Sequence, residues 1–255
     1  MAHLAFEIDG AAQTVSVDAL IIAGWTGRNR EAVEHHIAEL EAIGVKRPRT
    51  VPCFYRVGAN LLTTDDAIEV TGGDSSGEVE FVLLSLGDAE GTRGTEGARG
   101  TDGTQGTDGA RGFSRAGANP YVAVGSDHTD RRVEAYGVTV SKQMCPKPVS
   151  RELWRFSDVE AHWDELMLRS WVTRGGNREL YQEGAVTRML APRDLMARYL
   201  GSDGVLPAGA AMFCGTLPVN GTIAGGERFE IELEDPRLKR KLQHAYAVRC
   251  LHLAD

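Results

Sequence analysis

Residues 77–87 read GEVEFVLLSLG, an apolar run of strand character that opens with two glutamates. Side chains of a strand alternate between faces, so Glu78 and Glu80 point the same way as the Val82 and Leu84 that follow them. Two carboxylates on a face that the rest of the strand buries repel, and one stays protonated unless something positive lies between them. Either the first residues of this strand protrude into water, or a cation joins the pair. Hard oxygen donors of this kind select magnesium, calcium or manganese.

Downstream, residues 91–112 read GTRGTEGARGTDGTQGTDGARG, with glycine at every third position. A collagen triple helix has that period but also needs many imino acids to preset its backbone, and this stretch has none. Its polar triplets offer no apolar surface, so a mobile surface loop is expected. The next segment, YVAVGSDHTDRRVEAYGVTVSKQMCPKPV, starts as a short apolar strand and then crowds Asp127, Asp130, Arg131, Arg132, Glu134 and Lys142. Such a cluster is either a solvated face or a site at the end of a strand. Asp127 follows the strand directly and is the member most rigidly held.

The remaining segments frame these. LAFEIDG and AQTVSVDALIIAG flank a turn at Asp9–Gly10 and predict a β-hairpin. A helix is predicted over 29–45, NREAVEHHIAELEAIGV, with Asn29 as N-cap and Gly44 as its stop. On it, His36 falls beside the Val33, Ile37 and Leu40 stripe, and Glu39 can meet it across one turn. A His held by a carboxylate is a general-base arrangement; the alternative is a weak pair on the helix surface. His35 points outward, because adjacent helical residues diverge by about 100°. Residues 157–172 read as a second helix, 191–201 as a third, and 210–221, 228–236 and 244–253 as late strands. Strands dominate, so the expected class is α+β, with a single domain over 1–255.

Composition agrees: 42% hydrophobic and 25% charged residues are ordinary values for a chain that buries a substantial core. A net charge of -8 argues against a general nucleic-acid binder. Cys53, Cys145, Cys214 and Cys250 lie far apart, as reduced thiols of a cytoplasmic protein would. The first residues lack a basic region before an apolar one, and ALIIAGW is too short to span a bilayer, so no membrane association is expected.

Taken together, these pieces resemble the fumarylacetoacetate hydrolase-like superfamily, in particular one of its domain-of-unknown-function branches. That family places a Glu-x-Glu pair on a strand and, later, an Asp opening an Asp-x-Ser/Thr-x-Arg segment. The resemblance makes Glu78, Glu80 and Asp127 the metal ligands, with Thr129 and Arg131 at the matching offsets. The Glu80 to Asp127 gap exceeds the family's by about the length of the repeat, which marks 91–112 as an insertion. HHIAEL matches the family's H-x-x-E dyad at His36 and Glu39, which would activate the attacking water. SKQMCPKPV is similar to the stretch whose lysine contacts substrate, giving Lys142. Residues 181–218 resemble the late run from a Q-x-G segment to a G-T-P turn, giving Gln182 and Thr216. Glu134 stands where many members have Gln, Arg132 replaces an Asp, GTLP replaces G-T-P, and more residues than usual separate Gly24 from His36.

The resemblance implies a mixed β-roll or barrel-like core with flanking helices, commonly in a homodimer. It implies a magnesium (or manganese or calcium) enzyme acting on a small oxo acid. Hydrolysis of a carbon–carbon bond in a 1,3-dicarbonyl or 2-oxo acid would proceed through an enolate, with Lys142 offsetting its charge and Arg131, Glu134, Gln182 and Thr216 around the substrate. Decarboxylation or keto-enol tautomerisation on the same residues is the alternative within enzymes, and a binding protein that uses the repeat as an arm the alternative outside them.

Overall fold

The computed structural model describes residues 1–42, 47–86, 120–201 and 204–254, the side chains of residues 36, 39, 40 and 42 excepted. The glycine repeat and the His36–Glu39 dyad therefore lie outside what is described. The N-terminal hairpin is present: β1 (Ala2–Ile8) and β2 (Ala11–Val17) pair antiparallel. Asp9 and Gly10 both have positive φ, 52° and 76°, as a two-residue hairpin turn with native twist requires. β3 (Ala19–Gly24) leads to α1 (Arg30–Ala42), which Asn29 caps by accepting from the Ala32 N–H at 3.1 Å. Then follow β4 (Cys53–Val57), the short β5 (Leu62–Thr63), β6 (Ala67–Thr71), the short β7 (Ser75–Ser76), β8 (Val79–Ser85) and β9 (Tyr121–Ser126). Short pieces come next: β10 (Thr129–Asp130), α2 (Arg131–Glu134), α3 (Val138–Gln143), β11 (Lys147–Pro148), β12 (Glu152–Arg155) and α4 (Phe156–Val159). β13 (Met167–Arg174), β14 (Asn177–Ala185), α5 (Pro192–Leu200), β15 (Ala210–Thr216), β16 (Arg228–Asp235) and β17 (Arg240–Leu251) complete the described chain.

The second predicted helix is corrected. Over 157–172 there is only the helical turn α4 and a 3-10 segment kinked at His162, after which Met167 opens β13. From there Leu168, Ser170 and Val172 are buried in alternation, and a period of two rather than 3.6 decides the element. β14 was absent from the sequence reading.

The strands form two large mixed sheets. One has eight strands in the order β2-β1-β12-β9-β8-β15-β3-β4 and curls into a half-barrel; the other has five, β14-β13-β16-β17-β6. They pack face to face through Val79, Phe81 and Leu83 of β8, Val122 and Val124 of β9, Leu168, Ile231 and Leu233. The opposite face of the larger sheet is also covered, with Val82, Leu84, Ala123 and Phe213 packed against Phe6, Ile8 and Leu153. β8 is thus buried on both faces, which explains its unbroken apolar run. Few-helix, mixed-sheet architecture makes the chain α+β, as composition and the resemblance both implied.

Candidate active site

Glu80 sits on β8 with only 2% of its surface exposed, in the middle of the larger sheet. Its neighbour β15 breaks register between Phe213 and Thr216, and the Gly215 N–H in that break donates to Glu80 Oε2 at 2.6 Å. Gly215 has φ 99°, and a Cβ there would lie 1.7 Å from Thr26 Oγ1. Gly215→Ala should therefore combine left-handed strain with overlap and cost about 3 kcal/mol. Denaturant unfolding checks this, and a wild-type midpoint would contradict it.

Asp127 follows β9 and is fully buried. Lys142, on α3, donates to Asp127 Oδ2, while Lys147, on β11, lies 3.0 Å from Oδ1 and also donates to the His128 carbonyl. Thr129 Oγ1 adds a longer contact to Oδ1 at 3.3 Å. Glu78, at the mouth, faces Arg131 Nη2 at 3.2 Å; Arg131 also donates to Ser76 Oγ at 2.7 Å and to Glu134 at 3.2 Å. The Glu78 contact is an ion pair off the line of a hydrogen bond, which leaves Nη2 a buried donor.

One carboxylate oxygen from each of Glu78, Glu80 and Asp127 lies within 4.8 Å of the others. Burial, then the Asp127 charge, push the Glu80 carboxyl well above the usual carboxylate range. Burial works the same way on Asp127, but Lys142 and Lys147 outweigh it and hold that carboxyl below its usual range. Burial pulls Lys147 below the ordinary lysine value, whereas for Lys142 the surrounding carboxylates overcome burial and raise it. A hard, three-carboxylate donor set, one member of which is pushed up by burial and by its neighbour's charge, fits a divalent ion.

The structure thus brings Glu78, Glu80, Asp127, Arg131 and Lys142 together, with Glu134 behind Arg131. Thr216 donates to the Val79 carbonyl at 2.8 Å, beside Glu80. Gln182 accepts from the Val79 N–H and Ser170 and donates to Thr216 and the Leu217 carbonyl, so its amide is fully used in bracing β8, β14 and β15. Sequence reasoning missed Lys147, whose only signal is a lysine between two prolines, and Gly215. It also missed His128, which bonds Ser75 and Tyr246 at 2.9 and 3.0 Å; burial, then Lys147 and Arg131, push it down to about 3, so it is neutral.

Residues 23–91 and 114–246 match the family described as Protein of unknown function (DUF2848). The chain belongs to this family. The DUF2848 match passes over nearly the same residues as the glycine repeat. No curated protein matches the sequence. Among solved structures, a protein assigned as a fumarylacetoacetate isomerase/hydrolase from Oleispira antarctica is 15% identical with TM-score 0.61, covering 98% of this chain and 100% of that one. One assigned as a fumarylpyruvate hydrolase from Burkholderia cenocepacia is 17% identical with TM-score 0.57, covering 98% and 96%. A 2-keto-3-deoxyarabinonate dehydratase is 14% identical with TM-score 0.58, covering 95% and 77%. This DUF2848 chain therefore has the fumarylacetoacetate hydrolase fold. Among the described residues no helix is long and apolar enough to cross a membrane.

Proposed function

We propose that the protein is a metal-dependent hydrolase that cleaves a carbon–carbon bond in a small 1,3-dicarbonyl or 2-oxo acid. The observation that carries this reading is the convergence of Glu78, Glu80 and Asp127 within 4.8 Å, beside a buried lysine. The fold it shares with a hydrolase and a dehydratase named for oxo acids supports the substrate class.

The three carboxylates would hold the ion, magnesium first and manganese or calcium as alternatives. Bound there, a divalent ion supplies Lewis-acid polarisation of a chelating pair of substrate oxygens. Lys142 presents a buried ammonium beside them and would offset negative charge that develops as the bond breaks. Arg131 holds Glu78 in place and would present its positive charge to a substrate carboxylate. Glu134 fixes Arg131, while Thr216, braced by Gln182, sets the β15 turn whose Gly215 N–H holds Glu80. His36 and Glu39 are assigned to activation of the attacking water. The proposal extends to a single domain interrupted by an insertion at 91–112, and to a cytoplasmic homodimer, which four free cysteines suit.

Everything described around the carboxylates and Lys142 would serve a decarboxylase or tautomerase equally, so product analysis decides. With Mg2+ or Mn2+, acylpyruvates should split into a carboxylic acid and pyruvate, and EDTA should stop the reaction. Release of CO2 from a β-keto acid without such fragments would transfer the site to decarboxylation. Turnover of neither class, with no acceleration of keto-enol interconversion either, would overturn the enzyme reading.

A further inference from the structure

Beside Lys142 stands Tyr55, and Trp25 is bonded to Tyr55; neither has a role in the proposed function. Trp25, the residue after β3, has φ 60°. For a bulky residue the left-handed region is a genuine outlier, and it persists only where the surroundings impose it. Here they do. The Trp25 indole N–H donates to the Tyr55 hydroxyl at 3.2 Å, and the next residue, Thr26, packs on Gly215, whose N–H holds Glu80. A Cβ on Gly24 would come within 2.9 Å of Tyr55 Cε2, so the bare backbone there lets the Tyr55 ring lie across the end of β3. Burial pushes the Tyr55 phenol up to about 12, so the ring is neutral.

Tyr55 borders the candidate site, with Trp25 on its hydroxyl side. Lys142 Nζ lies over the Tyr55 ring, 6.0 Å from its centroid, and the Gly58 N–H bonds Gln143 Oε1 at 2.8 Å, tying α3 to the end of β4. Trp25 and Tyr55 are half-buried, and the Glu78 side chain keeps 18% of its surface exposed. Of the nearby cations, Lys142 is bound to Asp127, and Arg56, next to Tyr55 on a strand, projects from the other face, where it donates to Tyr199. Among the described residues, a second carboxylate beside these rings would meet aromatic carbon.

We propose that Trp25, pinned by Tyr55, is a specificity-determining wall of the site, selecting oxo acids with a flat apolar tail over those ending in a short alkyl group or a second carboxylate. This rests on the oxo-acid reading. The test is calorimetric titration of the full chain, loaded with Mn2+, with pyruvate, 2-oxoglutarate and phenylpyruvate. Phenylpyruvate should bind about tenfold more tightly than the other two, the scale of one aromatic contact. Trp25→Ala and Trp25→Gly should remove that preference while pyruvate affinity stays within about twofold, and Trp25→Phe should keep most of it. Glycine adopts this φ without strain, so Trp25→Gly separates loss of the ring from a backbone fault. A preference that survives in both variants, or pyruvate binding that falls in step with phenylpyruvate, would overturn the proposal. So would a wild type that binds all three alike, which leaves the oxo-acid reading standing. A protein that binds Mn2+ but none of the acids sinks both.

Discussion

Asp127→Asn is expected to abolish divalent-ion binding and to lower stability by about 3–5 kcal/mol, the scale for removing one partner from a buried ion pair. Asp127 and Lys147 are each fully buried, and Lys142 nearly so. Two ammonium groups converge on one carboxylate, so a neutral amide leaves both without a counter-charge in a place where water cannot replace it. Lys147, already pulled down by burial, would give up its proton first. Because the Asp127 carboxyl is held below its usual range, its contribution is present above the unfolded aspartate value and is lost only as pH falls through the depressed native one. The double variant Asp127→Asn/Lys147→Met should regain part of the lost stability, since one orphaned charge is gone, but none of the metal binding. Unfolding in denaturant reads the first effect and Mn2+ titration the second. Wild-type stability in Asp127→Asn would mean that the lysines are neutralised elsewhere; wild-type Mn2+ affinity would remove Asp127 from the ligands.

What could be read from the sequence was whatever violates a local rule. Two carboxylates at the head of an unbroken apolar strand conflict with the burial that strand demands, and Glu80 is indeed buried. Asp127 stood out because it follows an apolar strand directly. The hairpin turn at Asp9–Gly10 was legible because its backbone needs residues that tolerate positive φ. Features that depend on distant partners left no such mark. Gly215 meets Glu80 across 135 positions of sequence, and its φ comes from a bulge that neither strand announces. Lys147 is hydrophilic by type and buried only because Asp127 receives it. β14 went unread because it is an edge strand of the smaller sheet whose first four residues are exposed, so alternation, the main strand signal, is missing there. Residues 157–172 misled in the other direction, because their first half does turn helically before the chain enters β13.

Glu80 gives the second large effect: divalent binding should release a proton and tighten with rising pH, by up to about tenfold per pH unit. Burial, then Asp127, raise its carboxyl above the ordinary range, so it holds its proton to higher pH than an exposed glutamate does. An ion needs the carboxylate, so binding must expel the proton, and the gain with pH stops once pH passes the raised value. The sign for the ion-free protein is opposite. A carboxyl raised on folding contributes stability below its unfolded value and loses it as pH climbs through the native one, so the ion-free fold weakens toward alkaline pH while the loaded one strengthens relative to it. Glu80→Gln keeps the Gly215 hydrogen bond, because its amide oxygen can still accept, and removes the titration. Its affinity should fall by about a hundredfold or more with the loss of a charged ligand, and what remains should be independent of pH over the window where the wild type varies. Titrations in two buffers of different ionisation enthalpy count the proton directly. No proton released by the wild type would mean that Lys142 and its neighbours already hold Glu80 ionised, and that the carboxylate cluster is balanced internally rather than waiting for an ion.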